Sequence, residues 1–167
     1  MKVGEEILSE INKREIFLCD EWADLMSKIT NYSQLSIMYF KGDDWSMKND
    51  FPNIEVLRKH KDALLPYGMK TDIKERLSNI ERLAIFGDSD VELEYGGYDV
   101  AKLIIRHNSK AKIKVKGNAI LSVNILDNSQ VEVDSFEESK TTVYNYSENS
   151  KITASGNVKI KKRSWEK

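Results

Sequence analysis

Four copies of one short phrase recur in the second half of this chain, and that recurrence constrains the fold more than any other feature. Asp88-Ser89-Asp90-Val91-Glu92-Leu93 returns as Asn108-Ser109-Lys110-Ala111-Lys112-Ile113. It returns again as Asn128-Ser129-Gln130-Val131-Glu132-Val133, and last as Asn149-Ser150-Lys151-Ile152-Thr153-Ala154. The phrases start about 20 residues apart, the last step being one residue longer. A fixed period of this size is the signature of a stacked, coiled architecture, in which each repeat buries its apolar face only against its neighbours.

A finer beat runs inside the longer one. From about Leu83 apolar residues alternate, and three inward columns recur every ten residues. The first is Val91, Ala101, Ala111, Leu121, Val131 and Thr141, with Ile152 following after one inserted residue. The second runs Leu93, Leu103, Ile113, Val123, Val133, Val143 and Ala154; the third runs Tyr95, Ile105, Val115, Ile125, Ser135, Asn145 and Gly156. Each unit is therefore a short strand with three inward side chains and a polar corner.

An antiparallel meander and a two-strand-per-coil solenoid both fit a ten-residue beat. The outward residues favour the solenoid. After each Asn-Ser corner they read Glu92 and Glu94, then Lys112 and Lys114, then Glu132 and Asp134. Their sign alternates at the twenty-residue step, as it should if coils stack in parallel register about 5 Å apart and these side chains form opposite-charge ladders. Asn108, Asn128 and Asn149 fit the same stack, because asparagine tolerates left-handed corners and stacked amides can hydrogen-bond from coil to coil.

The first half follows a different grammar. Ile7, Leu8 and Ile11 share one helical face, and Ile16 to Met26 continues with a broader apolar face. Ser33 can cap a helix through Leu35, Ile37, Met38 and Phe40 that stops near Gly42; Gly42-Asp43-Asp44 reads as a polar turn; Pro52-Asn53 opens a helix holding Ile54, Val56 and Leu57. Met69 to Ile80 fits either a helix or an irregular first coil. The expected fold is α+β: a helical N-terminal cap over residues 1–75, then a short parallel β-solenoid with a terminal strand and basic tail over 76–167.

Twenty is not a multiple of six, and the apolar residues do not follow a five-residue beat, which sets aside two common solenoid classes. What remains resembles a short right-handed β-helix of about 20 residues per coil. The helical cap, with Gly42-Asp43-Asp44-Trp45 and Asn49-Asp50-Phe51-Pro52, placed before such a solenoid, resembles small proteins carried by phages and other mobile elements. That resemblance implies a structural or virion-associated setting and brings no functional residues with it.

The second strand of each coil is dressed differently. Its outward residues include Ile104, Leu126, Tyr144 and Tyr146, which need covering, either by the helices or by a partner protein or second copy with the tyrosines as anchors. The inward columns thin at Ser135, Asn145 and Gly156, so the last coil is expected to be narrower or looser. Val158 and Ile160 fall off the beat and read as a terminal strand, whose neighbours Lys159, Lys161, Lys162 and Arg163 would discourage edge pairing.

Ingredients of catalysis are thin. His60 sits among Arg58, Lys59 and Lys61 on an expected solvated helix end, His107 sits at a corner beside Asn108, and neither has a metal-ligand partner at helical or hairpin spacing. Cys19 reads as a buried, inert thiol on an apolar helix, and as the single cysteine it excludes an internal disulfide. Asp43-Asp44 and Asp88-Ser89-Asp90 lack the spacing of a calcium loop, and Gly96-Gly97 precedes a strand instead of a helix. No catalytic, cofactor or metal residue is assigned. A formal net charge of −1 argues against nucleic acid as the partner, no apolar run reaches membrane-span length, and Met1 to Glu6 lacks a secretion signal, so a soluble cytoplasmic protein is expected, with incorporation in a phage particle compatible. The functional expectation is a non-enzymatic structural or protein-interaction protein; the alternative is a carbohydrate-binding or carbohydrate-active module that stacks sugars on Tyr144 and Tyr146.

Overall fold

A computed structural model describes residues 2–165. The chain divides into two compact units, Met1–Tyr67 and Gly68–Lys167. The boundary falls about eight residues before the expected one, because strand pairing begins at Met69.

The first unit is helical: α1 (Val3–Lys13), α2 (Asp20–Ser27), α3 (Tyr32–Lys41), α4 (Asp43–Asn49), α5 (Ile54–Lys59) and α6 (Lys61–Leu64), then a 3-10 turn over Leu65–Tyr67. Ile7 and Ile11 of α1 are buried, as their spacing requires. Gly4 lets α1 approach the end of α2 closely: its N–H donates to the Ile29 carbonyl at 3.2 Å, and a Cβ there would stand 1.9 Å from the Met26 carbonyl oxygen. Asn31, not Ser33, caps α3 by accepting from the Gln34 N–H at 3.0 Å, and Asn53 caps α5 through the Val56 N–H at the same distance.

Further expectations for this unit change. The apolar run from Ile16 does not extend a helix, because α1 ends at a left-handed Glu15 (φ 53°) and the chain is non-helical until Asp20. Cys19 therefore lies exposed at the cap position of α2, not buried. Gly42-Asp43-Asp44 is not a turn but the start of α4, where two carboxylates sit favourably in the first helical turn.

The second unit is a parallel β-solenoid of about 4 turns, with about 20 residues per coil. Strands β1 (Met69–Thr71), β3 (Arg82–Phe86), β5 (Val100–Ile105), β7 (Ile120–Ile125), β9 (Lys140–Asn145) and β11 (Val158–Lys162) form one sheet in that order. The other sheet holds β2 (Lys74–Ser78), β4 (Asp90–Tyr95), β6 (Lys110–Val115), β8 (Gln130–Ser135) and β10 (Lys151–Gly156). The ambiguous segment from Met69 is thus the first coil, made with a shorter step than later coils: Met69 stands opposite Ala84, whereas Val100 stands opposite Ile120.

Register matches the sequence pattern. Val91, Ala111 and Val131 stack inward, while Glu92–Lys112–Glu132 and Glu94–Lys114–Asp134 stack outward. Arg76 extends the first ladder by one rung, with its guanidinium 2.7 Å from the Glu92 carboxylate. The inward columns are buried through Val143, and burial then fades: Asn145 and Ile152 are half-buried, and Ala154 and Gly156 are exposed. The last turn is tighter, since Asn157 alone links β10 to β11, and Val158 falls opposite Thr141.

The corners hold a device the repeat did not reveal. The left-handed residue is not the asparagine but the residue before it: Gly87, His107 and Asp127, with φ of 72°, 61° and 58°. At the opposite corner Gly97, Gly117 and Glu137 take the same conformation. Each such residue with a polar side chain accepts a hydrogen bond from the corner N–H one coil earlier. His107 Nδ1 accepts from the Gly87 N–H at 3.0 Å, Asp127 from the His107 N–H at 2.9 Å, and Glu137 from the Gly117 N–H at 2.8 Å. A backbone N–H can only donate, so His107 Nδ1 carries no proton. Asp127 also accepts from the buried Arg106 guanidinium at 3.1 Å. Gly117 has no side chain to accept in turn, and a Cβ there would stand 2.8 Å from the Gly97 nitrogen.

Stacked amides complete the corner. Asn108 Nδ2 donates to Asp88 at 3.1 Å and Asn128 Nδ2 to Asn108 at 3.4 Å. Asn149 follows the inserted residue, and its backbone N–H instead donates to Ser147 Oγ at 3.1 Å. The serines of the repeated phrase, Ser89, Ser109 and Ser129, turn inward and are buried, with Ser89 and Ser129 donating to the carbonyls of Phe86 and Leu126 at 2.7 and 2.6 Å.

Charge reversal tests the outward ladder. Lys112→Glu should lower the unfolding free energy by a few tenths to about 1 kcal/mol, and adding Glu92→Lys and Glu132→Lys should restore part of it in urea melts. A triple variant no more stable than Lys112→Glu alone would contradict ladder coupling.

Candidate functional site

The structure separates the four side chains expected to form one interaction face. Ile104 and Leu126 are buried, whereas Tyr144 and Tyr146 are half-buried. Both tyrosines are engaged by the chain's own C-terminal segment. Trp165 stacks on Tyr146 with ring centroids 4.4 Å apart and an interplanar angle of 16°. The Arg163 guanidinium lies 4.8 Å from the Tyr144 ring centroid, and Lys161 Nζ lies 5.9 Å from it. β11 places them there, since Lys161 is the register partner of Tyr144. The basic tail thus does more than charge an edge: Lys161 and Arg163 cover an aromatic face. The ladder residues Glu92, Glu94, Lys112, Lys114, Glu132 and Asp134 occupy the other sheet, opposite charge against opposite charge.

His60 also departs from expectation, being 9% exposed. Tyr32 OH lies 2.9 Å from His60 Nδ1, and His60 Nε2 lies 3.3 Å from Glu6 Oε1. Ionised Glu6 can only accept, so Nε2 carries the proton and Tyr32 donates to Nδ1 when the ring is neutral. Lys59 pairs with the same Glu6 carboxylate. The cluster joins α1, α3 and α5. Lys59 first, and then His60, hold the Glu6 carboxyl below its ordinary value against the opposing effect of burial.

The helical unit holds a cavity of about 410 Å³. Its walls come from the α1–α2 loop (Phe17, Cys19), from Trp22 and Met26 one turn apart on α2, from Met38 and Tyr39 on α3, and from Trp45 and Phe51. Trp45 is fixed by its indole N–H, which donates to the Phe17 carbonyl at 2.9 Å, and by an edge contact with Phe51 at 5.3 Å. Trp22 lies against Gly42, where an added Cβ would stand 3.1 Å from the indole. Arg14 steadies the end of α4, donating to the carbonyls of Asn49 and Asp50 at 2.7 and 2.9 Å. Asp43 and Asp44 also line the cavity, Asp43 buried and Asp44 exposed, with exposed Lys41 beside them. Phe17 is 83% exposed.

Trp22, Trp45, Phe40 and Phe51 add apolar surface to the helical half, and as large apolar side chains most of them would be expected in the core. Phe51 is buried, but Trp22 and Trp45 are half-buried cavity walls, and Phe40 is not among the lining residues. The available signal was the number of large apolar side chains in this half, Phe17, Trp22, Phe40, Trp45 and Phe51 among them. Among the described residues no group of three His, Cys, Asp or Glu side chains is placed to hold a metal ion, and no helix is long and apolar enough to cross a membrane. No family model, curated protein or solved structure matches the chain.

The Glu6 cluster gives a pH signature. A carboxyl with a depressed folded-state value adds stability above its unfolded value, about 4.3, and loses it as pH falls through the folded value. Glu6→Gln should therefore lower Tm at pH 7, and the gap to wild type should close as pH falls below about 4. A gap that persists unchanged into that range would refute the ion-pair assignment.

Proposed function

We propose that this chain is a non-enzymatic protein-interaction module whose helical unit receives an apolar anchor of a partner protein in the cavity lined by Trp22 and Trp45. The observation that carries this reading is the cavity's make-up: about 410 Å³, walled largely by aromatic and methionine side chains, with a highly exposed Phe17 among them. Pockets of this scale accept small ligands or protruding side chains, and tryptophan, tyrosine and adaptable methionine are favoured where proteins grip one another. The solenoid supplies a stiff, register-locked body with its charges balanced across coils. A carbohydrate-binding face would need open rings on Tyr144 and Tyr146, and the stacking of Trp165 and Arg163 on them argues against it.

Site-specific photo-crosslinking tests this reading. A benzophenone amino acid at position 17 should yield one discrete protein adduct in the cells that make this chain. The same group at position 98, where Tyr98 is 85% exposed on the solenoid, should not. Identical adduct patterns from both positions, or none from position 17, would overturn the proposal.

A further inference from the structure

We propose that the C-terminal end of the solenoid takes up an acidic, extended segment of a partner protein as an added strand, independently of the helical cavity. β11 ends one sheet and β10 the other, so each pairs on one side only. The Arg163 N–H donates to the Asn145 carbonyl of β9 at 2.8 Å. Alternate N–H groups of a strand point to opposite sides, so those of Ile160 and Lys162 face away from β9. The core ends open there as well. Ile160, in the inward column over Val143, is 51% exposed, Ala154 is exposed, and Ile152 and Val158 are half-buried. A closed solenoid end carries a polar capping repeat instead.

Charge names the occupant. From Asn149 to Arg163 the chain carries Lys151, Lys159, Lys161, Lys162 and Arg163, and neither Asp nor Glu. In the column Arg76–Glu92–Lys112–Glu132 each coil answers the charge of the one before. The final coil gives no such answer: Lys151 stands opposite Gln130, Lys159 opposite Thr142 and Lys161 opposite Tyr144. Among the described residues none of these three lysines has a carboxylate partner. A strand that alternates apolar and acidic residues continues both patterns, with apolar side chains over Val158 and Ile160 and carboxylates over Lys159 and Lys161. Lysines on an edge also repel strands, and here that repulsion falls on copies of this chain. Head-to-tail stacking would bring Lys151 into line with Lys74, which begins the same column at the first coil. Tail-to-tail contact would join two basic ends. A second copy is thereby disfavoured, and an acidic segment is favoured.

Three dye-labelled peptides of about eight residues test this against the full chain. One alternates valine and glutamate, one has the same composition with all valines before all glutamates, and one alternates valine and lysine. By fluorescence anisotropy at about 0.15 M salt, the alternating glutamate peptide should bind at least about tenfold more tightly than either other. Its binding should slow amide exchange at Ile160 and Lys162, as an added strand requires, and leave β5 unchanged. The double variant Lys159→Ser, Lys161→Ser alters exposed side chains and should weaken it severalfold. Thr142→Glu, which gives Lys159 a carboxylate within the stack, should weaken it too without loss of Tm, so a destabilised double variant leaves the test intact. Equal affinity for the two glutamate peptides would reduce the contact to charge alone and overturn the proposal. So would tighter binding of a single-stranded oligothymidylate of equal charge, binding indifferent to both variants, or no binding. None of these outcomes bears on the adduct at position 17, which tests the cavity separately.

Discussion

A coil of parallel strands can stack on the next only if its corners do, and the corners impose the stricter condition. A left-handed residue turns the chain, and its N–H must find an acceptor beyond its own coil. Here the next coil supplies it from the side chain at the same corner position: His107 for Gly87, Asp127 for His107, Glu137 for Gly117. The acceptor is an imidazole once and a carboxylate twice, but the geometry repeats. Strand register, the three inward columns and the outward charge ladders all follow once corners are superposed in this way. Arg106 shows how tightly the corner is used, since its buried guanidinium depends on the same Asp127 carboxylate that accepts from His107.

The strands were legible because two independent patterns agreed. Period-two alternation fixed which side chains point inward, and the sign change from Glu92 to Lys112 to Glu132 fixed which strand lies beside which. Corners were less legible, because Gly87, His107 and Asp127 share a backbone angle but no side-chain type. The asparagine beside them drew attention through its identity, and it does stack, yet it is not the residue that turns the chain. The first coil was hidden for a related reason: its step from Met69 to Ala84 is too short to join the twenty-residue pattern.

The helical unit shows a different limit. Spacing identifies that Trp22 and Met26, or Leu35, Met38 and Tyr39, share a face. Whether that face closes on a core or opens on a cavity depends on where the α1–α2 loop and Phe51 sit, and those are tertiary facts. In the solenoid the same limit acted in reverse. Tyr144 and Tyr146 needed covering by the helices or by a partner, and it is the chain's own terminal segment that brings Arg163 and Trp165 onto them. Aromatic residues left over by a sequence pattern thus divide here into a pair the chain covers itself and a group that keeps a cavity open.

Native-state amide exchange at the corners tests the stacking account most directly. The N–H groups of Gly87, His107 and Gly117 lie in apparent loops, yet each donates to a side chain of the next coil. Corner bonding predicts that they exchange as slowly as the strand amides of β5 and β7, through global opening. Exchange at the rate of free turns, while those strands stay protected, would contradict it.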